Sequence, residues 1–398
     1  SKEITWNITK INADEVWDLG LTGEGIIVSV IDTGVNYDHY DLEDHMWESD
    51  DYPNHGWDFY SNDNDPMDGY GHGTHCAGTV AGDGTAGSQT GVAPDALIMA
   101  CKVTNAAASG TESMIWSAVE FSIEQGADVI SLSMGWQHSW GPNRTIWRES
   151  FDAVLAAGMV ASVAAGNEGS DQGSYPIPDN VRCPGDCPPP WLNPDQTLTG
   201  GVSSVICVGS TTISDGVSNF SSRGPVTWEL INPFNDYPHN PEMGLIRPDI
   251  AAPGSNIKSL AHYSNTGYES GWSGTSMATP ANAGMIALML QKNNQLTPEQ
   301  ISQIVEETAF ELQSGKNNNS GSGRIDALAA VEATSFPGPS YHSHVLNDAT
   351  GFNNGQINPG NSMLITLAIA NYSDETVNDI TVTIKTDSEF ITLTDSSE

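Results

Sequence analysis

Short apolar runs recur along most of this chain, and they constrain its fold more than any other feature. The runs consist almost entirely of apolar or small residues and cover residues 25–31, 96–103, 129–134, 159–165 and 204–208. Strands that are apolar on both faces are typical of a parallel sheet covered by helices on both sides. Helical spacing lies between the runs, over residues 113–124, 148–157 and 275–292. The alternation predicts a doubly wound α/β fold with functional residues at the carboxyl ends of the strands.

The pattern changes near the Pro-Gly-Pro segment at residues 337–339. Beyond it, apolar and polar residues alternate with period two over residues 362–369, 377–386 and 390–394. Period two is typical of half-buried strands. We therefore expect an α/β domain over residues 1–335 and a short all-β segment over residues 336–398, which could be part of a β-sandwich.

Three motifs place reactive side chains at the ends of predicted elements. Asp32 ends an apolar strand, where a carboxylate is costly unless it is paired. His72 lies between two glycines that permit close approach of other backbone. Ser276 opens an apolar helix, where unpaired N–H groups stabilise negative charge. Each residue alone could be structural, as a cap or a buried histidine, but the three together indicate nucleophilic catalysis.

A fourth motif, Ala164-Ala165-Gly166-Asn167-Glu168, follows another apolar strand. The amide of Asn167 is suited to bind an oxyanion together with the backbone N–H of Ser276. A metal cluster of His72, His75 and Cys76 is the rival interpretation, but the chain contains no His-Glu-x-x-His pattern.

These four blocks resemble the signature motifs of the subtilisin-like serine peptidases, the subtilases. The resemblance implies a mostly parallel seven-stranded sheet with helices on both faces. It also implies a secreted, monomeric endopeptidase that acts on proteins or peptides and is made with a cleaved inhibitory propeptide. Ser276 would form the acyl-enzyme, His72 would act as general base and acid, Asp32 would orient His72, and Asn167 would line the oxyanion hole.

The same resemblance assigns the substrate-binding residues. Gly110 and the segment Ser133, Met134 and Gly135 would pair with an extended substrate as two edge strands. Ser133–Gly135 and Ala164, Ala165 and Gly166 would line the primary specificity pocket. Glu168 would lie at its rim and favour a basic side chain, or would be a solvated glutamate without effect.

Two acidic loops resemble the calcium loops of the family, and structural Ca²⁺ is the expected cofactor. The first would use Asp58, Asp63, Asp65 and the carbonyl of Met67; a solvated acidic turn is the alternative. The second would use Asp41 with Asp83, Thr85, Gly87 and Gln89. In that second loop, Thr85 replaces an expected asparagine and Lys2 replaces a ligating glutamine.

Charge and cysteine content narrow the remaining possibilities. The formal net charge of -37 excludes nucleic acid and anionic membranes as favourable partners. No apolar run is long enough to span a membrane. Among the five cysteines, Cys183 and Cys187 lie in a proline-rich loop and predict a local disulfide, with a zinc site as the rival. The other three are expected to be buried free thiols.

Two functions of other classes remain open at this point. The chain could be a catalytically idle binding module on a peptidase scaffold, although the intact motifs argue against it. The C-terminal β segment could be an adhesion domain with the peptidase secondary. Aromatic residues in three long inserts, including Trp136 and Trp140, could border an extended groove or pack the inserts onto the body.

Overall fold

The chain divides into two compact units, Ser1–Thr334 and Ser335–Glu398. The computed structural model describes residues 2–189, 203–239, 244–335, 339–347 and 364–371. No helix among these residues combines the length and apolar character needed to cross a membrane.

The first unit is built on a seven-stranded parallel sheet, which confirms the predicted fold class. The strands of the whole described chain are β1 (Glu3–Ile4), β2 (Ile27–Asp32), β3 (Gly56–Asp58), β4 (Ser88–Gln89), β5 (Leu97–Lys102), β6 (Val129–Leu132), β7 (Val160–Ala164), β8 (Val205–Thr211), β9 (Ile250–Pro253), β10 (Ile257–Leu260), β11 (Tyr268–Trp272), β12 (Pro339–Asn347) and β13 (Leu364–Asn371). The order across the large sheet is β3-β5-β2-β6-β7-β8-β9. The apolar runs of the sequence form five of these strands, because a strand in the middle of such a sheet is covered on both faces.

Helices cover both faces of the sheet. They are α1 (Trp6–Lys10), α2 (Ala13–Trp17), α3 (His72–Ala81), α4 (Glu112–Glu124), α5 (Arg144–Ala156), α6 (Thr275–Lys292), α7 (Pro298–Glu307) and α8 (Ala327–Ala333), with a 3₁₀ turn at His138–Trp140. One apolar cluster joins α3 and α6 to one face, and a second joins α4 and α5 to the other. The burial of apolar area in these two layers is the main force that holds the sheet and helices together.

The sequence pattern did not predict α1, α2, α3, α7 and α8, and it placed the start of α5 too late. Helix α5 begins at Arg144, one turn before the predicted start, because the Asn143 side chain accepts a hydrogen bond from the Ile146 N–H at 3.3 Å. The pattern did not predict α3, since its glycines lower the intrinsic helix propensity. Tertiary burial stabilises this helix instead, as nearly all of its residues are inaccessible to solvent.

Three two-stranded sheets lie outside the main sheet. Strand β1 pairs with β4 in parallel, β10 pairs with β11 in antiparallel, and β12 pairs with β13 in antiparallel. The last pair belongs to the second unit, and β13 overlaps the predicted strand at residues 362–369. The sequence pattern did not predict β12, which follows directly on the Pro-Gly-Pro segment. The predicted strands at 377–386 and 390–394 lie outside the described residues.

Candidate active site

Asp32 is the last residue of β2, and its side chain is fully buried. Its Oδ1 accepts a hydrogen bond from the Thr33 N–H at 2.8 Å and lies 2.7 Å from Nδ1 of His72. Because a carboxylate can only accept, Nδ1 of His72 carries the proton in this pair. The contact therefore fixes the tautomer of the imidazole and leaves Nε2 unprotonated in the neutral ring.

His72 is the first residue of α3. The start of α3 lies close to the end of β2 because Gly73 has no side chain to keep the two segments apart. A Cβ atom built on Gly73 would lie only 2.1 Å from the carbonyl oxygen of Gly34. Any larger residue would push the start of α3 away from β2. The glycine thus sets the distance between Asp32 and His72.

The electrostatic environment of His72 favours its charged form. Burial of the ring lowers the pKa of His72, but the Asp32 carboxylate outweighs burial and holds this pKa well above 6.5. Cys76 lies 3.9 Å from Nδ1 of His72, and burial raises the pKa of its thiol. The environment is therefore suited to stabilise an imidazolium that forms during catalysis.

The rival metal interpretation is not supported by this geometry. Asp32, His72 and Cys76 place their potential ligand atoms within 4.8 Å of one another. However, the His72 nitrogen that faces the cluster already holds the proton shared with Asp32. His75 stacks on Trp272 with ring centroids 4.8 Å apart, and burial lowers its pKa to about 3.

Ser276 is the second residue of α6 and lies in the same cleft as His72. Its hydroxyl donates to the carbonyl of Ser133 at 3.0 Å, and the Ser133 hydroxyl donates to the carbonyl of Ser276 at 2.9 Å. The hydroxyl is thus directed at Ser133 rather than at the imidazole. Rotation about a single side-chain torsion redirects it, and such loose contacts are usual in substrate-free active sites.

Asn167 follows β7, and its side chain has a fixed direction. Its Oδ1 accepts hydrogen bonds from the N–H of Thr275 at 2.9 Å and from the Thr275 hydroxyl at 3.1 Å. A main-chain N–H can only donate, so the atom that it contacts is the amide oxygen. The Asn167 NH₂ group therefore remains available to a ligand.

The two predicted oxyanion donors both lie close to Gly274. A Cβ atom built on Gly274 would lie 3.5 Å from Nδ2 of Asn167 and 3.6 Å from the backbone nitrogen of Ser276. The space that a side chain would occupy there is thus bordered by both donors. This arrangement at the start of α6 is suited to bind an oxygen that gains negative charge.

A cleft of about 420 Å³ is lined by His72 and Ser276, while Asp32 and Asn167 are not among its described lining residues. Of the predicted substrate-binding residues, Gly110, Ser133, Met134 and Gly135 line this cleft together with His72 and Ser276. The residues Ala164, Ala165 and Gly166 are buried at the end of β7. The Arg182 side chain lies against Gly166, since a Cβ atom on that glycine would be 2.8 Å from Cγ of Arg182.

Glu168 is neither solvated nor open to a substrate. It is only 5% exposed, and both of its oxygens lie 3.1 Å from Nε of Arg182. It also accepts hydrogen bonds from the Asn167 N–H at 2.8 Å and from Nε2 of Gln137 at 3.0 Å. The ion pair with Arg182 neutralises the Glu168 carboxylate, so this carboxylate is not free to select a basic substrate side chain.

In the first predicted calcium loop, one carboxylate forms an ion pair with a lysine of the chain. Asp58 is buried and pairs with Nζ of Lys102 at 2.9 Å, so it does not fit as a ligand. Asp63 and Asp65 are exposed, and Oδ1 of each accepts main-chain N–H groups within the loop. Within the described part of the chain, the second oxygen of each carboxylate accepts no hydrogen bond. Those oxygens and the Met67 carbonyl are compatible with a hard cation.

The second predicted calcium loop contains an ammonium group. Nζ of Lys2 donates to the carbonyl of Asp83 at 2.8 Å. Asp41 accepts hydrogen bonds from the Ala86 N–H and from the Tyr268 hydroxyl, and the Gln89 amide donates to the carbonyl of Gly82. A positive charge beside Asp83 opposes a second cation, so this set does not fit Ca²⁺. Thr85 donates to the Asp83 carboxylate, and Gly87 closes the turn by donating to Gly84.

The prediction that Cys183 and Cys187 form a local disulfide is wrong for this structure. Both are free thiols, only 0% and 1% exposed, in the apolar cluster that covers α4 and α5. The proline-rich loop folds inward, because Cys183 pairs with Trp136 through two backbone hydrogen bonds of 2.7 and 2.9 Å. The buried Asp186 places a carboxylate oxygen within 4.8 Å of both thiols, but it holds an ion pair with Arg144. Cys76, Cys101 and Cys207 are buried free thiols, as predicted.

Sequence reasoning missed three residues that shape the site. Thr275 orients Asn167, Gly274 leaves room between the oxyanion donors, and Arg182 lines the cleft. The first two lie beside Ser276 in the sequence, so their position next to a helix start was a usable signal. Arg182 lies in a long insert, and no local pattern indicated that it would reach the cleft.

Comparison of the sequence with known proteins finds one matching family model and several similar proteins. The family model described as "Subtilase family" matches residues 23–331. The chain is 32% identical to thermitase of Thermoactinomyces vulgaris over 326 residues, which is 81% of this chain and 94% of thermitase. It is also 32% identical to subtilisin Savinase of Lederbergia lenta over 331 residues, which is 83% of this chain and 100% of that protein.

A solved structure gives the same result at the level of the fold. The crystal structure of a cold adapted subtilisin-like serine proteinase matches with a TM-score of 0.54 and 31% sequence identity. The match covers 75% of this chain and 88% of that protein. Sequence and fold comparisons therefore agree on the kind of protein, and the family match over residues 23–331 includes the four motifs.

Proposed function

The chain belongs to the subtilase family and is a serine endopeptidase, and from this premise we propose that it hydrolyses peptide bonds through an acyl-enzyme formed on Ser276. His72 acts as general base and acid, Asp32 orients it, and Asn167 binds the oxyanion. The observation that carries the proposal is the 2.7 Å contact between Asp32 and His72 beside a cleft that also contains Ser276.

Acylation begins when the hydroxyl of Ser276 turns from the Ser133 carbonyl to Nε2 of His72. The hydroxyl oxygen attacks the scissile carbonyl carbon while Nε2 takes the hydroxyl proton. Asp32 stabilises the resulting imidazolium without itself taking the proton. His72 then gives the proton to the leaving amine, and the C–N bond breaks.

The carbonyl oxygen gains negative charge in the tetrahedral intermediate. The Asn167 NH₂ and the Ser276 N–H lie beside the space at Gly274 that this oxygen would enter. Since Thr275 fixes the amide in advance, little reorganisation is needed during the reaction. Water activated by His72 then attacks the ester and releases the second product.

Substrate binding uses the segments that border the cleft. Gly110 and Ser133–Gly135 are suited to hold the substrate backbone in an extended conformation, as two strand edges. Ala164–Gly166 form the opposite side of the pocket for the residue whose carbonyl is attacked. Protein and peptide chains are therefore the substrates in this proposal.

The family premise extends to how the enzyme is made and where it acts. We place the enzyme outside the cell as a monomer, and its own cleaved propeptide serves as an inhibitor before activation. The net charge of -37 is consistent with a protein that stays dispersed in an extracellular medium.

Calcium enters the proposal through the first acidic loop only. The exposed carboxylates of Asp63 and Asp65, with the Met67 carbonyl, would hold a structural Ca²⁺ that stiffens the turn before His72. Asp58 is excluded because it pairs with Lys102. In the second loop, the Lys2 ammonium supplies the positive charge that a calcium ion would otherwise supply.

Hydrolysis of casein and of a short peptide tests the proposal. Removal of the nucleophile in S276A is expected to lower kcat by about 10⁶, the order of magnitude measured in a subtilase. S314A, which alters an exposed serine remote in sequence from the motifs, is the matched control and should keep full activity. Full proteolysis by folded S276A would refute Ser276 as the nucleophile, whereas a folded wild type without any proteolysis would favour an idle binding module.

A further inference from the structure

The Arg182 side chain lies between the two segments that form the walls of the proposed specificity pocket. A Cβ atom built on Gly135 would lie 3.1 Å from Cβ of Arg182, and one built on Gly166 would lie 2.8 Å from its Cγ. The backbone of Arg182 is fixed as well, because its N–H donates to the Ala165 carbonyl at 2.9 Å. The aliphatic stem therefore fills the base of the pocket and carries the guanidinium group with it.

Arg182 forms an ion pair with Glu168, and of these two side chains Arg182 is the one that faces the cleft. The Arg182 side chain is 26% exposed, whereas that of Glu168 is 6% exposed. Arg182 is among the residues that line the cleft, but Glu168 is not. The carboxylate is also saturated by donors from Gln137, Asn167 and Ser222. A substrate side chain that reaches the base of the pocket would therefore meet the cation.

The rest of the cleft strengthens this polarity. The whole chain has 50 acidic residues against 13 basic ones, yet among the residues that the structure describes no aspartate or glutamate lines the cleft. Within the described part of that lining, Arg182 carries the one permanent charge. The Trp140 ring lies 5.9 Å from the guanidinium carbon of Arg182 and is another residue of the lining. An aromatic neighbour reduces the hydration of the cation and so strengthens its pairing with an anion.

We propose that Arg182 is a specificity-determining residue that selects glutamate or aspartate as the substrate residue whose carbonyl Ser276 attacks. The inference rests on the proposed function and specifies its substrate class. A carboxylate at that position accepts charge-assisted hydrogen bonds from the guanidinium edge that Glu168 leaves open. A lysine or arginine at the same position would bring two cations together. The proposal reverses the preference for basic residues that the sequence alone suggested for Glu168.

Peptides that differ only in the residue before the scissile bond test the proposal, with Glu, Gln, Phe and Arg compared by kcat/KM. A charge-assisted hydrogen bond to the substrate carboxylate predicts that the wild type cleaves the Glu peptide about 10-fold faster than the Gln peptide. R182Q should bring this ratio near one, whereas R182K should keep part of it. K258Q is the matched control, since Lys258 is also 26% exposed and ion-paired but does not line the cleft. Its ratio should equal that of the wild type.

The double variant E168Q/R182Q guards against a folding defect, because R182Q alone leaves a buried carboxylate unpaired. It should lose the Glu over Gln preference while it still cleaves the Phe peptide. A wild type that cleaves casein and the Phe peptide but does not distinguish Glu from Gln would overturn this inference and leave the proposed function intact. Persistence of the preference in both arginine-free variants would overturn it too. A wild type that cleaves neither casein nor any peptide would refute the proposed function itself.

Discussion

At the scale of single residues, the candidate site depends on small groups that hold larger ones in place. Gly73 sets the approach of α3 to β2, and Thr275 directs the Asn167 amide. Gly274 leaves open the space beside both oxyanion donors. None of the three reacts with substrate in the proposed mechanism. Their changes should therefore alter turnover through geometry alone.

The variant G274A tests the oxyanion site. Its methyl group would lie 3.5 Å from Nδ2 of Asn167 and 3.6 Å from the Ser276 nitrogen, where the oxyanion is expected. Loss of one oxyanion donor costs about 10²–10³ in kcat in a subtilase, and we expect a loss near the lower figure. KM should change much less, because the contact forms mainly in the transition state. G173A, which adds a methyl group in a more open place, should keep the wild-type kcat.

The pH dependence of kcat/KM tests the Asp32–His72 pair. The base is active only when neutral, so activity should rise with pH as His72 loses its proton. Burial lowers the pKa of His72, but the Asp32 carboxylate raises this pKa by more than burial lowers it. The midpoint of the rise in kcat/KM should therefore lie above pH 6.5. In D32N, turnover should fall by about 10⁴, the cost of the same change in another Ser-His-Asp enzyme. A midpoint at or below 6.5 in the wild type would contradict the assigned contact.

At the scale of elements, strand ends and helix starts could be predicted because their signals are local. Asp32 ends an apolar run and Ser276 opens an apolar helix, so the sequence pattern located both. Arg182 could not be located this way, since its position depends on a long insert that packs against Gly135 and Gly166. Burial of Cys183 was missed for the same reason, because proline-rich loops usually lie at the surface.

The loop that follows α3 offers a test of cation use. In the wild type, the Lys2 ammonium bonds to the Asp83 carbonyl, so only the first acidic loop should respond to a calcium chelator. The variant K2Q replaces the ammonium by an amide that can offer an oxygen ligand. Thermal unfolding with calcium and with chelator should differ more in K2Q than in the wild type. If the chelator lowered the unfolding temperature equally in K2Q and in the wild type, Lys2 would not be a substitute for a calcium ion.

At the scale of the whole molecule, the two units carry separate expectations. The family match ends at residue 331, and the first compact unit ends at Thr334. The sequence predicted this parallel-sheet unit well, because periodic burial is repeated over many strands. In the second unit, β12 was not predicted because its alternation is weak. The two further strands predicted there lie outside the described residues and stay predictions.

Removal of the residues after Pro337 tests the division of labour between the units. The candidate catalytic residues and the described cleft residues all lie in the first unit, so kcat/KM on a short peptide should stay within about twofold, a difference of about 0.4 kcal/mol. Binding to surfaces or large substrates is the property that an adhesion segment would lose. A collapse of peptide hydrolysis in the truncated, folded protein would instead assign the β segment a role in the peptidase unit.

Labelling with a fluorophosphonate, followed by peptide mapping, tests the central claim most directly. Covalent capture requires a serine oxygen that a neighbouring base has activated. The account predicts one adduct per chain, on Ser276, with loss of casein hydrolysis in step with labelling, and no adduct in S276A. An adduct on another residue, or casein hydrolysis that persists in fully labelled enzyme, would contradict it.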